Sequence, residues 1–168
     1  MSISPLSNHH GSGRMPRVLA ALLAGAVAIA LNTAVLAAAD LVPLATAHGG
    51  LLRLLVILTG GAISPTGAVF QTGFHVAVGL AMAVFYAFTL EPFLGGPSWL
   101  RGLLYALAVW LANAAIVLPA TGEGFAGSRH LTLAGMVWFA TAHTLFFVVQ
   151  AVLYSGLRER QSIADPSV

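Results

Sequence analysis

The sequence contains no cysteine and no lysine. Without cysteine there are no disulfides, no thiolate metal sites, no iron–sulfur clusters and no cysteine nucleophile. Charge is scarce as well. Only 7% of the 168 residues are charged, against about 25% in a typical soluble domain. That deficit excludes an ordinary water-soluble fold, a disordered chain and a charged tail protein. The basic residues are Arg14, Arg17, Arg53, Arg101, Arg129, Arg158 and Arg160. They form no stripe that could follow a phosphate backbone, so no nucleic-acid partner is expected. What is abundant is apolar: 58% of residues are hydrophobic. The expected fold class is all-α, a polytopic membrane protein whose first partner is the lipid bilayer.

A helix needs about 20 mostly apolar residues to cross a hydrocarbon layer of about 30 Å. Residues 18–39, 66–90, 100–120 and 131–157 qualify, which predicts four transmembrane helices in a bundle within residues 17–157. Lipid cannot satisfy peptide groups, so no other backbone suits these runs. Strands would alternate in polarity, and none of the runs does. Residues 1–16 read as a disordered N-terminus and 158–168 as a polar tail. With both ends cytoplasmic, five arginines fall inside and only Arg53 and Arg129 outside, as the positive-inside rule prefers. Ala-rich, Arg-only composition suits GC-rich bacterial coding, hence a bacterial inner membrane. The first span also carries the marks of a secretory signal, with Ala37-Ala38-Ala39 as a cleavage site, but its apolar run is longer than the usual 7–15 residues.

The connections are expected to be simple. Leu51–Leu58 is too short to span; it can re-enter the membrane, but the preferred expectation is an interfacial helix with Arg53 snorkelling. Gly122 to Gly127 predicts a flexible turn with Glu123 solvated. It lacks the strand and helix that would make a glycine-rich stretch a nucleotide site. Trp99, Tyr86, Tyr105 and Tyr154 fall near the inner ends of their spans and predict an aromatic belt. Small residues at four-residue spacing offer packing rows. In the first span these are Ala20, Ala24, Ala28 and also Ala26, Ala30, Ala34. In the second they are Gly73, Ala77, Ala81 and also Gly79, Ala83, Ala87.

The second and fourth spans echo each other. Phe70, His75 and Tyr86 repeat the spacing of Trp138, His143 and Tyr154. The first and third echo more weakly, through Asn32 and Asn113. Two tandem helical hairpins in the same orientation would produce this pattern. Each span thereby carries one markedly polar residue: Asn32, His75, Asn113 and His143. At about 1.5 Å per residue all four lie roughly 20–23 Å from the inner ends, in one layer. Polar residues in hydrocarbon are costly and normally face the bundle interior.

Three functions fit such a layer. The residues can clip the helices together in a structural or accessory subunit that partners another membrane complex or its own copies. His75 and His143 can be axial ligands to a b-type haem, since matched depth on parallel helices is the required geometry. An oligomer can conduct a proton or small solute past the layer, although no Asp, Glu, Lys or Arg lies within any span. Two histidines and two amides make a poor copper or zinc site. No serine or acid arrangement for catalysis is visible, so no enzymatic activity is expected.

From His75 onward the order of residues is distinctive: Gly79, Tyr86-Ala87, Trp99, Arg101-Gly102, Tyr105, Trp110, Leu118-Pro119, a glycine-rich loop, His143 and Tyr154. This resembles a family of uncharacterised bacterial four-helix inner-membrane proteins, over residues 66–156. The resemblance implies a bundle that retains its first helix, and it carries no activity. That group tends to have a glycine four residues after the last histidine. Here Phe147 stands there, so close helix approach is not expected at that point.

Overall fold

The computed structural model describes residues 15–42, 44, 50–62 and 67–164, with side chains through residue 160. Among them are five helices: α1 (Arg17–Ala39), α2 (Gly50–Leu58), α3 (Ala68–Leu90), α4 (Ser98–Ala120) and α5 (Leu133–Ala164). No strand occurs among the described residues. Four of the helices, α1, α3, α4 and α5, are long and apolar enough to cross a membrane. The fold is all-α, as the composition requires. Helix α5 continues past residue 157 to Ala164, so part of the segment read as a tail is helical.

Prolines and loop residues set the boundaries. Pro16 and Pro97 precede α1 and α4, where a missing N–H costs nothing. Pro92 and Pro119 lie beyond the start of two wide turns, Tyr86–Leu90 in α3 and Asn113–Val117 in α4, where the backbone bonds skip five residues rather than four. Glu91 N–H reaches the Tyr86 carbonyl at 2.9 Å in this way. In both helices the proline comes six residues after the start of the wide turn. A proline ring collides with the carbonyl four residues before it, and the added residue opens the turn at that point.

Successive spans run antiparallel. One end of the bundle gathers Arg17, Glu91, Arg101, Arg158 and Arg160, and the other holds α2 and the α4–α5 loop. The extensive packing is α1 on α5, α4 on α5 and α1 on α3. Helices α3 and α4 are joined near the arginine-bearing end by ring contacts of Phe85 and Tyr86 with Tyr105. Only one of each pair of small-residue rows packs. Ala20, Ala24 and Ala28 are buried on α1, while Ala26, Ala30 and Ala34 face outward. On α3, Gly79, Ala83 and Ala87 are buried and Gly73, Ala77 and Ala81 are not. The outward faces carry stripes such as Leu19, Leu23, Val27 and Leu31, suited to acyl chains.

Close approach does occur at Phe147. A Cβ on Gly102 would stand 2.7 Å from the Phe147 carbonyl oxygen and 2.7 Å from the Val148 Cα. The small residue that permits the contact is on α4 rather than at position 147, which is why reading α5 alone misses it. Phe147 itself is buried edge-on against Tyr105, ring centroids 4.4 Å apart.

The α4–α5 loop takes its shape from residues in the left-handed region. Gly122, Gly124 and Gly127 have positive φ of 84°, 77° and 81°, and Ala126 is also left-handed at 53°. Glu123 is paired rather than free in solvent, with its side chain 18% exposed. Its carboxylate accepts from Arg53 of α2 at 2.5 Å, and its backbone bonds Leu118 and Arg129. Arg53 therefore reaches a carboxylate rather than snorkelling alone.

Candidate functional site

Asn32 lies on the inner face of α1, in phase with the buried row Ala21, Ala24, Ala28. It is 1% exposed. His75 sits on α3, and its Nε2 is 2.9 Å from Asn32 Oδ1. An amide oxygen can only accept, so Nε2 carries the hydrogen and the bond ties α1 to α3. Asn32 Nδ2 is buried with no partner among the described residues.

His143 takes a different arrangement. Its Nδ1–H donates to the Phe139 carbonyl one turn back on α5, at 2.8 Å. The ring packs on the Phe139 ring, centroids 4.1 Å apart. That bond fixes the tautomer and leaves Nε2 with a bare lone pair. The two histidine rings lie within electrostatic reach of each other. No hydrogen bond joins them among the described residues.

Asn113 does not join this group. It opens the wide turn of α4, is half-buried, and makes no side-chain hydrogen bond among the described residues. Matched depth did not translate into contact, because depth along a helix says nothing about the direction a side chain points. Of the other polar residues near the layer, Gln71, Thr72 and Thr141 are exposed and Thr144 bonds back to Ala140.

One tie had no sequence signal beyond an aromatic at depth. Trp138 Nε1–H donates to the Val35 carbonyl at 2.9 Å, pinning α5 to α1 one turn from Asn32. The tyrosines also depart from expectation. Tyr86, Tyr105 and Tyr154 are all buried and form an interior cluster rather than a belt. Tyr86 stacks on Tyr105 at 5.8 Å and meets Tyr154 edge-on at 6.2 Å. Tyr105 OH reaches the Met82 carbonyl at 3.3 Å, a third tie between helices.

No group of three or more His, Cys, Asp or Glu able to hold a metal occurs among the described residues. His9, His10 and His48 lie outside the described residues. His130 stands 3.8 Å from Glu123 in the α4–α5 loop. No protein-family model, curated protein or solved structure matches the chain.

Proposed function

We propose that this chain is an integral protein of a bacterial inner membrane, with both termini cytoplasmic and a structural or accessory rather than enzymatic role. One observation carries the reading. Hydrogen bonds from interior side chains, His75 to the Asn32 amide, Trp138 to the Val35 carbonyl and Tyr105 to the Met82 carbonyl, each join two different helices. Bonds of that kind specify a bundle. No charged residue lies among them to bind or move an ion. A rigid bundle with long apolar outer faces is suited to sit beside another membrane complex or its own copies.

Reporter fusions at residues 96 and 126 test the topology: the first is expected inside and the second outside. The reversed result overturns the orientation. Affinity purification in mild detergent is expected to retain a stoichiometric membrane partner or an oligomer, whereas a monodisperse monomer argues against an accessory role.

A haem reading keeps one specific support. His143 donates its Nδ1–H to a backbone carbonyl and presents a bare Nε2, as ligating histidines do. His75 fits less well, because Asn32 already occupies its Nε2. A Soret band in purified protein, lost in His143→Ala, would favour this reading. A colourless protein expressed with haem supplied would remove it.

A further inference from the structure

A groove runs along the outside of the bundle between α4 and α5. Its volume is about 170 Å³, and it is lined by Leu103, Ala106, Leu107 and Trp110 of α4 and by Ala140 and Thr144 of α5. The groove arises from a contrast of size. Ala106 is short and buried, while Leu103 and Leu107 on either side of it are 42% and 52% exposed. Ala140 is equally short on the facing helix. No lining residue is charged.

Two polar groups lie in this groove. Trp110 is half-buried and makes no hydrogen bond among the described residues, unlike Trp138, whose N–H donates to the Val35 carbonyl. Trp110 is the thirteenth of the 23 residues of α4, about 18 Å from one end and about 15 Å from the other. It therefore sits mid-bilayer whichever way the chain is oriented, away from the interface where tryptophan N–H groups find partners. An unpaired donor in hydrocarbon is costly. Thr144 donates to the Ala140 carbonyl at 2.8 Å and keeps a lone pair free to accept. Gly102 faces Phe147 and Val148, so on antiparallel helices Thr144 stands opposite the turn around Ala106. That turn is N-terminal to Trp110, the direction in which large helical side chains lean. The indole and the hydroxyl thus come to similar heights.

We propose that the groove is the contact face of a homodimer, its occupant a second copy of this chain related by a two-fold axis along the membrane normal. The inference rests on the accessory reading above and names its partner. A donor and an acceptor on one patch make that patch self-complementary, as a two-fold interface requires. The axis brings the Trp110 N–H of each copy to the Thr144 hydroxyl oxygen of the other. Leu107 of each copy enters the other's groove, since a cavity of about 150 Å³ already accepts a benzene-sized group. The short Ala106 and Ala140 let the helices approach closely. An acyl chain would fill the same volume but carries no acceptor at this depth, leaving the indole unpaired. A helix of another protein would have to bring its own matching donor and acceptor, whereas this chain brings both.

The test is disulfide cross-linking in lipid vesicles at low protein-to-lipid ratio. The chain has no cysteine, so a single introduced one can pair only with its counterpart on another copy. Leu107→Cys is expected to give a covalent dimer on oxidation with copper–phenanthroline, while Val27→Cys, on the outward face of α1 and 57% exposed, is not. Trp110→Phe, added to Leu107→Cys, is expected to cut the dimer yield roughly fivefold to tenfold, as loss of two interhelical bonds implies. Counting photobleaching steps of the labelled protein without these substitutions serves if Leu107→Cys itself fails to fold. Mostly two steps are expected, shifting to one in Trp110→Phe, and mostly single steps would overturn the proposal. Equal cross-linking at Leu107→Cys and Val27→Cys would overturn it too, as would a Trp110→Phe dimer of unchanged yield. If no copies cross-link but affinity purification retains a different membrane protein, the homodimer falls and the accessory reading stands; a lone monomer in both assays removes both.

Discussion

Replacing Gly102 by alanine tests the α4–α5 interface at its tightest point. The added Cβ would stand 2.7 Å from a carbonyl oxygen, 2.7 Å from a Cα and 3.0 Å from the Ala151 Cβ. The two nearest atoms are backbone, so no side chain can swing away, and α4 and α5 must move apart. Overpacking of this kind costs about 1–3 kcal/mol. Alanine also gains up to about 1 kcal/mol over glycine in a helix interior, which partly masks the clash. Gly73→Ala supplies the correction, because Gly73 lies within α3 and a Cβ there meets nothing within 4 Å. The difference between the two variants isolates the steric term, a factor of roughly 5 to 150 in the unfolding equilibrium. The assay is steric trapping or denaturant titration in mixed micelles, followed by tryptophan fluorescence. Equal stability of Gly102→Ala and Gly73→Ala would refute the close approach.

Two further outcomes are expected. A double-mutant cycle on Asn32→Ala and His75→Ala should give a coupling of about 0.6 kcal/mol and not above about 1.7, the range for interhelical bonds in lipid; a coupling of zero removes the tie between α1 and α3. Glu123→Gln should loosen α2, raising the rate of proteolysis within residues 50–62 about two- to fivefold, as an exposed ion pair of about 0.2–1 kcal/mol allows. High salt should reproduce that effect in the unaltered protein, and a salt-independent rate would count against the pair.

The spans were legible because length and hydropathy alone decide what can cross a bilayer. The small-residue rows were legible only as pairs of equals. Composition gives Gly73, Ala77, Ala81 the same standing as Gly79, Ala83, Ala87, and only the facing helix chooses between them. Ile29 of α1 makes that choice, since it fills the space beside Gly79. The Asn32–His75 bond could be anticipated from matched depth, whereas Asn113 shared the depth and missed the contact. The tyrosines departed from the pattern for a related reason. Position near a helix end suggests an interfacial belt, but azimuth sends Tyr86, Tyr105 and Tyr154 inward. Glu123 looked solvated because its partner, Arg53, lies 70 residues away in sequence.

The two wide turns have a consequence for how this chain can change length over evolutionary time. Each holds one residue beyond a regular α turn and has a proline at the same offset from its start. Beyond each comes an acidic residue that meets an arginine: Glu91 with Arg101, and Glu123 with Arg53. Losing the extra residue alone would rotate the remainder of the helix by about 100° and carry the acid away from its partner. Losing the proline alone would leave a bulge with nothing to accommodate. The insertion, the proline and the acid–arginine pair therefore form a linked set, and descendants that drop one member are expected to have changed the others at the same two places.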